Sequence, residues 1–141
     1  MKLTVLTVGK LKDSNARAWA DEYLVRIRRW VRCDEVEVRD DAELERRWPS
    51  DALVVALEVD GEQLSSTQFS ERVERWGSQG KGDMVFVIGG AEGIPKRLSS
   101  AAQARLSLSR MTLPHRLAKV FLLEQLYRAL SIRRGEPYAR E

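Results

Sequence analysis

The residues best able to do chemistry lie in three short runs. In "MVFVIGGAEGIP", Met84 to Pro95, five apolar residues lead into Gly89, Gly90, Ala91, Glu92 and Gly93. Adjacent glycines let backbone approach a ligand closely, because no Cβ stands in the way. Yet the run has neither the Gly-x-Gly-x-x-Gly of dinucleotide sites nor the Lys-Ser/Thr that closes a P-loop. Such a loop suits a flat, uncharged or cationic ligand better than a triphosphate; taken alone, it is also a tight turn with no ligand. The second run, "LSLSRMTLPH" at residues 106–115, mixes apolar side chains with hydroxyls, the composition of an adenine-sized slot. By itself it is equally a plain strand followed by a helix cap. The third, "IRRGEPYARE", gathers Arg133, Arg134, Tyr138 and Arg140. An aromatic ring among arginines can stack on a base while guanidiniums hold phosphates, though a solvated tail has the same composition.

His115 is the only histidine. It opens the last predicted helix, and an unperturbed imidazole would be mostly neutral there, able to accept a proton. Cys33 is the only cysteine, so no intrachain disulfide forms, and a classical structural zinc site is excluded. No Ser-His-Asp pattern and no acid/base carboxylate pair stands out. Glu58, Asp60 and Glu92 fall on predicted loops and could face cationic groups.

These candidates must be positioned by a chain of 141 residues, the size of one ordinary domain over 1–141. Apolar residues make up 43% and charged residues 32%, a globular balance with no apolar run long enough to span a membrane. "MKLTVLTVGK" reads as a first strand rather than a signal peptide, and a reducing cytoplasm fits the cysteine count. The net charge of +3 is unevenly placed. Residues 110–141 hold 7 of the 24 basic residues but only 3 of the 21 acidic ones. That excess suits a polyanion such as RNA, or a solvated Arg-rich face.

The spacing predicts strands at "KLTVLTVG", "DEVEVR", "ALVVALEV", "MVFVIGG" and "RLSLSRM". Between them lie helices: a stripe on Ala16, Trp19, Tyr23, Ile27 and Trp30; "DAELERRW"; one with Phe69, Val73 and Trp76 on a face; and "IPKRLSSAAQA". A loop is expected from Asp60, and a last helix from about Thr112 to Ile132. Alternation of strand and helix predicts an α/β fold with a largely parallel sheet and helices on both faces. Ligands then bind beyond the carboxyl ends of the strands. The ends of "VVALE", the "GGAEG" loop and "SLSRMTLP" could converge on one pocket. In the last helix the apolar belt is so wide that it needs two partners, its own sheet and one more, for which a second copy of the chain is favoured over another element of the same one.

Taken together, "LTVGKLK", "ALEVDGEQLSSTQFSE", "DMVFVIGGAEGIP", "LSLSRMTLPHRLAKVFLLEQLYRALSI" and "RGEPYARE" resemble, in order and nearly end to end, the RlmH family. These are the ribosomal RNA large subunit methyltransferases H of the SPOUT superfamily. The resemblance implies a C-terminal trefoil knot and a homodimer. It implies S-adenosylmethionine as cofactor, no metal, and methylation at N3 of a pseudouridine in the helix-69 loop of 23S rRNA within the ribosome. It places the cofactor at Leu57, Gly89 and the run Leu108, Ser109, Arg110, Met111, Thr112, Leu113. It places RNA at His115, Arg128, Tyr138 and Arg140, with His115 the candidate base. Two departures stand out: Ala139 replaces the family's tail histidine, and the segment between "VEVRDD" and "ALVVALE" is short. A nucleotide-binding regulator and a non-catalytic RNA-binding dimer are the rival readings.

Overall fold

The computed structural model describes residues 1–79 and 82–140. Five strands form one parallel sheet: β1 (Lys2–Val8), β2 (Arg32–Val38), β3 (Leu53–Gln63), β4 (Asp83–Ile88) and β5 (Ala104–Ser107), in the order β2-β1-β4-β3-β5. Helices α1 (Ser14–Arg28), α3 (Ser66–Gly77) and α5 (His115–Arg134) cover one face; α2 (Asp41–Arg46) and α4 (Lys96–Ser99) lie on the other. The predicted mostly parallel α/β sheet with helices on both faces is therefore observed.

Local chemistry sets the helix starts. Asp13 accepts the Ala16 N–H and opens α1; Asp40 accepts the Glu43 N–H and opens α2. Ser65 and Gln68 satisfy each other's backbone N–H groups in a capping box at the start of α3. Gly135, at φ 68°, takes the left-handed turn that stops α5. β1 and β4 are central and almost wholly buried, which explains their continuous apolar runs.

Four expectations are corrected. The predicted loop from Asp60 is strand: β3 continues to Gln63 and pairs with β5 again after a register shift between Leu57 and Glu62. The last strand ends at Ser107, and Leu108 to Pro114 is irregular, because alternation alone cannot mark where a pairing edge runs out. Trp19 is 51% exposed, since the buried stripe of α1 is Ala20, Tyr23, Leu24 and Ile27, and Trp19 sits at its margin. The broad belt of α5 is largely covered from within the chain by α1, α3 and the sheet, with Leu117 left 42% exposed. Belt width therefore does not by itself call for a second copy.

Candidate functional site

Three strand ends meet around a cavity of about 460 Å³ at the carboxyl edge of the sheet. From β4, Ile88 leads into a turn in which the Gly93 N–H donates to the Gly90 carbonyl at 3.0 Å. The glycine loop is thus both a tight turn and a wall of the cavity. A Cβ on Gly89 would stand 2.4 Å from the Gly93 carbonyl carbon and 2.5 Å from Ile94 N, so no side chain fits there. From β3, the bulge at Glu58–Gly61 carries Glu58 and Val59 into the wall. Arg105 clamps the bulge, donating to Glu58 and, at 2.9 Å, to Asp60. After β5, the irregular run supplies Leu108, Ser109, Met111, Thr112 and Leu113, with Ser109 Oγ accepting the Met111 N–H at 2.9 Å.

The wall therefore holds seven of the eight residues proposed for a cofactor: Leu57, Gly89, Leu108, Ser109, Met111, Thr112 and Leu113. Arg110, exposed at the lip, is not part of it. Among the described residues no Lys or Arg lines the cavity, whereas Glu58 and Glu92 do. A phosphate would meet Glu92, the Arg105-paired Glu58 and no lining cation here; a cation would meet complementary charge chiefly at Glu92. Met111, at the mouth, is 78% exposed.

His115 stands beside the cavity rather than in its wall. Its ring lies over the end of β1, with Nε2 3.9 Å from the Cβ position of Gly9. Nε2 is buried without a protein partner. Burial first, and then the Lys119 ammonium, hold the ring below the ordinary histidine value; Glu37 and the Val8 backbone pull the other way.

Beneath it lies a cluster that sequence patterning missed. Lys119 is wholly buried and bonds Glu35 and, at 2.8 Å, Glu37. Arg17 reaches Glu35 through both guanidinium ends, at 2.8 and 2.9 Å, and the Leu11 N–H donates to Glu37 at 2.8 Å. Burial pushes the Glu37 carboxyl up, but the bonds from Lys119 and Leu11, with the Arg17 charge, bring it below the usual range. The available signal was a lysine inside the apolar "LAKVFLL" run and two glutamates in phase with buried Cys33 on β2.

The tail does not join His115. Pro137–Arg140 forms a 3-10 turn docked on α1 and α5. Tyr138 Oη donates to Glu124 at 2.7 Å and lies 3.2 Å from Tyr23 Oη, while its ring packs edge-on against Tyr127. Arg128 bonds the same Glu124 at 2.7 Å and lies over the Tyr138 ring. Burial, then the bonds to Tyr23 and Glu124, push the Tyr138 phenol up. Of the residues proposed for RNA, Arg128, Tyr138 and exposed Arg140 are grouped, and His115 is apart from them.

Residues 1–139 match the family described as predicted SPOUT methyltransferase. The chain is 53% identical over 144 residues to the ribosomal RNA large subunit methyltransferase H of Sorangium cellulosum, covering 99% of each chain. It is 37% identical over 157 residues to the protein of the same name from Bifidobacterium animalis, covering 98% of this chain and 99% of that one. Among solved structures, a probable methylase family protein from Haemophilus influenzae superposes with TM-score 0.61 at 11% identity, over 94% of this chain and 68% of that one. The SpoU methyltransferase AviRb from Streptomyces viridochromogenes, solved with AdoMet, gives 0.54 at 12% identity, over 90% and 57%. At those identities the structures speak for the fold alone, and the full-length sequence matches speak for the family. The chain belongs to the SPOUT methyltransferases, within the ribosomal RNA large subunit methyltransferase H family.

Proposed function

We propose that this chain methylates N3 of a pseudouridine in the helix-69 loop of 23S rRNA, on the assembled ribosome in the cytoplasm. S-adenosylmethionine is the donor in this reading, and the working unit is a homodimer whose C-terminal side forms the trefoil knot of its family. The observation that carries it is the cavity at three strand ends, apolar-walled, free of described cations and bearing two carboxylates. That lining fits an adenosyl group joined to a sulfonium and does not fit a polyphosphate. The absence of a side chain at Gly89 lets the glycine loop fold back tightly into one wall, and Leu57, Leu108 and Leu113 give the other walls apolar lining.

S-adenosylmethionine, when bound, supplies a methyl group already activated by its positive sulfur. What the chain adds is chiefly alignment of the donor with the attacking nitrogen. The N3 proton must leave, and His115, neutral and with its buried Nε2 unpartnered beside the cavity, is the group proposed to accept it. The RNA-facing set of His115, Arg128, Tyr138 and Arg140 belongs to the same proposal. So does the dimer, for which Trp19, Val25 and Leu117 are exposed apolar surface on α1 and α5.

The test is transfer of labelled methyl to ribosomes that lack the modification, followed by mapping of the modified base. Label at N3 of the helix-69 pseudouridine is the expected result; label elsewhere, or none, refutes the reading. His115→Ala is expected to slow transfer while sparing cofactor binding, and unchanged turnover removes His115 from the chemistry.

A further inference from the structure

The loop from Gly9 to Asp13, between β1 and α1, is tied down from below. Leu11 is buried at 6% exposure, and its N–H donates to Glu37, the carboxylate that also holds Lys119 of α5. With Leu11 turned into the core, its neighbours Lys10 and Lys12 are both left exposed. Gly9 sits against the His115 ring, so this loop and the first turn of α5, where Arg116 is exposed, are adjacent. Arg110 is exposed on the lip of the cavity close by.

Charge accounting separates these cations from Arg17, Lys119 and Arg128, and their place beside the cavity separates them from cations such as Arg29, Arg32 and Arg46. Glu35, Glu37 and Asp21 are paired with Arg17 and Lys119, three carboxylates against two cations, and Asp13 caps α1. Lys10, Lys12 and Arg116 enter none of the ion pairs among the described residues. Arg128 in the tail region, by contrast, is bonded to Glu124 and packed on Tyr138. The carboxyl edge of the sheet thus carries three exposed cations outside the ion pairs, on a braced loop and the adjoining turn of α5, beside a cavity that itself holds no described cation.

We propose that Lys10, Lys12 and Arg116 form the surface that grips the phosphodiester backbone of the RNA beside the target base. This rests on the RNA-methyltransferase reading above. The buried Glu37–Lys119 pair supports the grip by fixing the β1–α1 loop against α5, so the cations are preorganised rather than gathered on binding. Phosphate neutralisation is read through counterion release, which makes binding steeply salt-dependent.

The experiment compares binding of a helix-69 RNA and of ribosomal subunits across a salt series. It uses the full chain, the variant Lys10→Ala/Lys12→Ala/Arg116→Ala, and the charge-matched control Arg29→Ala/Arg32→Ala/Arg46→Ala. S-adenosylmethionine affinity is measured on all three as a check on the folded state. The first variant is expected to keep its cofactor affinity and bind RNA more weakly. Its plot of log affinity against log salt should be shallower by about 2, since each lost phosphate contact removes roughly 0.7 to 0.9. The control is expected to track the unmodified chain. An unchanged slope in the first variant, or an equal loss in the control, overturns the inference while the methyltransferase reading stands. Absence of RNA binding by the unmodified chain overturns both.

Discussion

At its amino end α5 buries a lysine between two glutamates, whereas farther along, its flank is covered by tyrosines, of which Tyr138 shares one partly buried glutamate, Glu124, with Arg128. The first arrangement is ionic, wholly enclosed at Lys119, and braces the β1–α1 loop against β2 and α5 at the carboxyl edge of the sheet. The second is aromatic and half-buried, and fastens only the last few residues. A buried ion pair is a costly way to gain stability, because desolvation offsets most of the attraction. What it supplies is a fixed geometry: β2, the β1–α1 loop and α5 cannot shift without stranding a charge. That brace sits where the cavity and His115 are, and the softer contact sits where the tail must be held but need not be immobile.

The contrast predicts unequal costs. Lys119→Ala removes the buried cation between Glu35 and Glu37 and leaves only Arg17 to offset them, and should destabilise the fold by about 3 kcal/mol in urea unfolding. Lys119→Met combined with Glu35→Gln and Glu37→Gln should recover much of that loss, since no buried charge is then stranded and partly exposed Arg17 keeps Asp21. If Lys119→Ala costs less than about 1 kcal/mol, the brace is not ionic in origin. At the other region Tyr138→Phe removes one hydroxyl from a shared network and should cost about 1 kcal/mol, by the same measurement. It should leave S-adenosylmethionine affinity unchanged, and a change would tie the tail to the cavity within one chain.

The smallest effect is in pH. His115 sits below its ordinary value of about 6.5 in the folded chain. As pH falls through that value, the unfolded chain takes up the proton first, so stability is lost from about 6.5 downward until the folded value is passed. Above it, His115 contributes nothing to the pH dependence. Glu37, also lowered, holds stability above the ordinary carboxylate value and releases it as pH falls through its folded value. A melting-temperature series for His115→Asn should flatten the upper window and keep the lower one. Retention of both windows would show that His115 does not titrate as its surroundings require.

The same division shows what could be read from residue order. β1, β3 and β4 were legible because strands buried on both faces must be apolar throughout, and the convergence of three strand ends followed from parallel topology. The bulge at Glu58–Gly61 was not legible: Asp60 and Gly61 resemble a turn, and only pairing with β5 keeps them in the sheet. The brace escaped because Glu35 and Glu37 read as the solvent face of an edge strand, although α5 covers that face. Likewise the belt of α5 has the same pattern whether α1, α3 or another chain covers it. Cavity walls could be located from sequence, and the compensation of their neighbouring charges could not.

On the proposed reading the cavity at the carboxyl edge takes an adenosyl sulfonium rather than a phosphate, because Glu92 and the Arg105-paired Glu58 line it and no described cation does. Calorimetric titration of the full chain with S-adenosylmethionine and, separately, with ATP tests this most directly. Saturable binding of S-adenosylmethionine with no measurable uptake of ATP is the predicted result. ATP binding as tight as or tighter than S-adenosylmethionine, or no binding of S-adenosylmethionine, would contradict it.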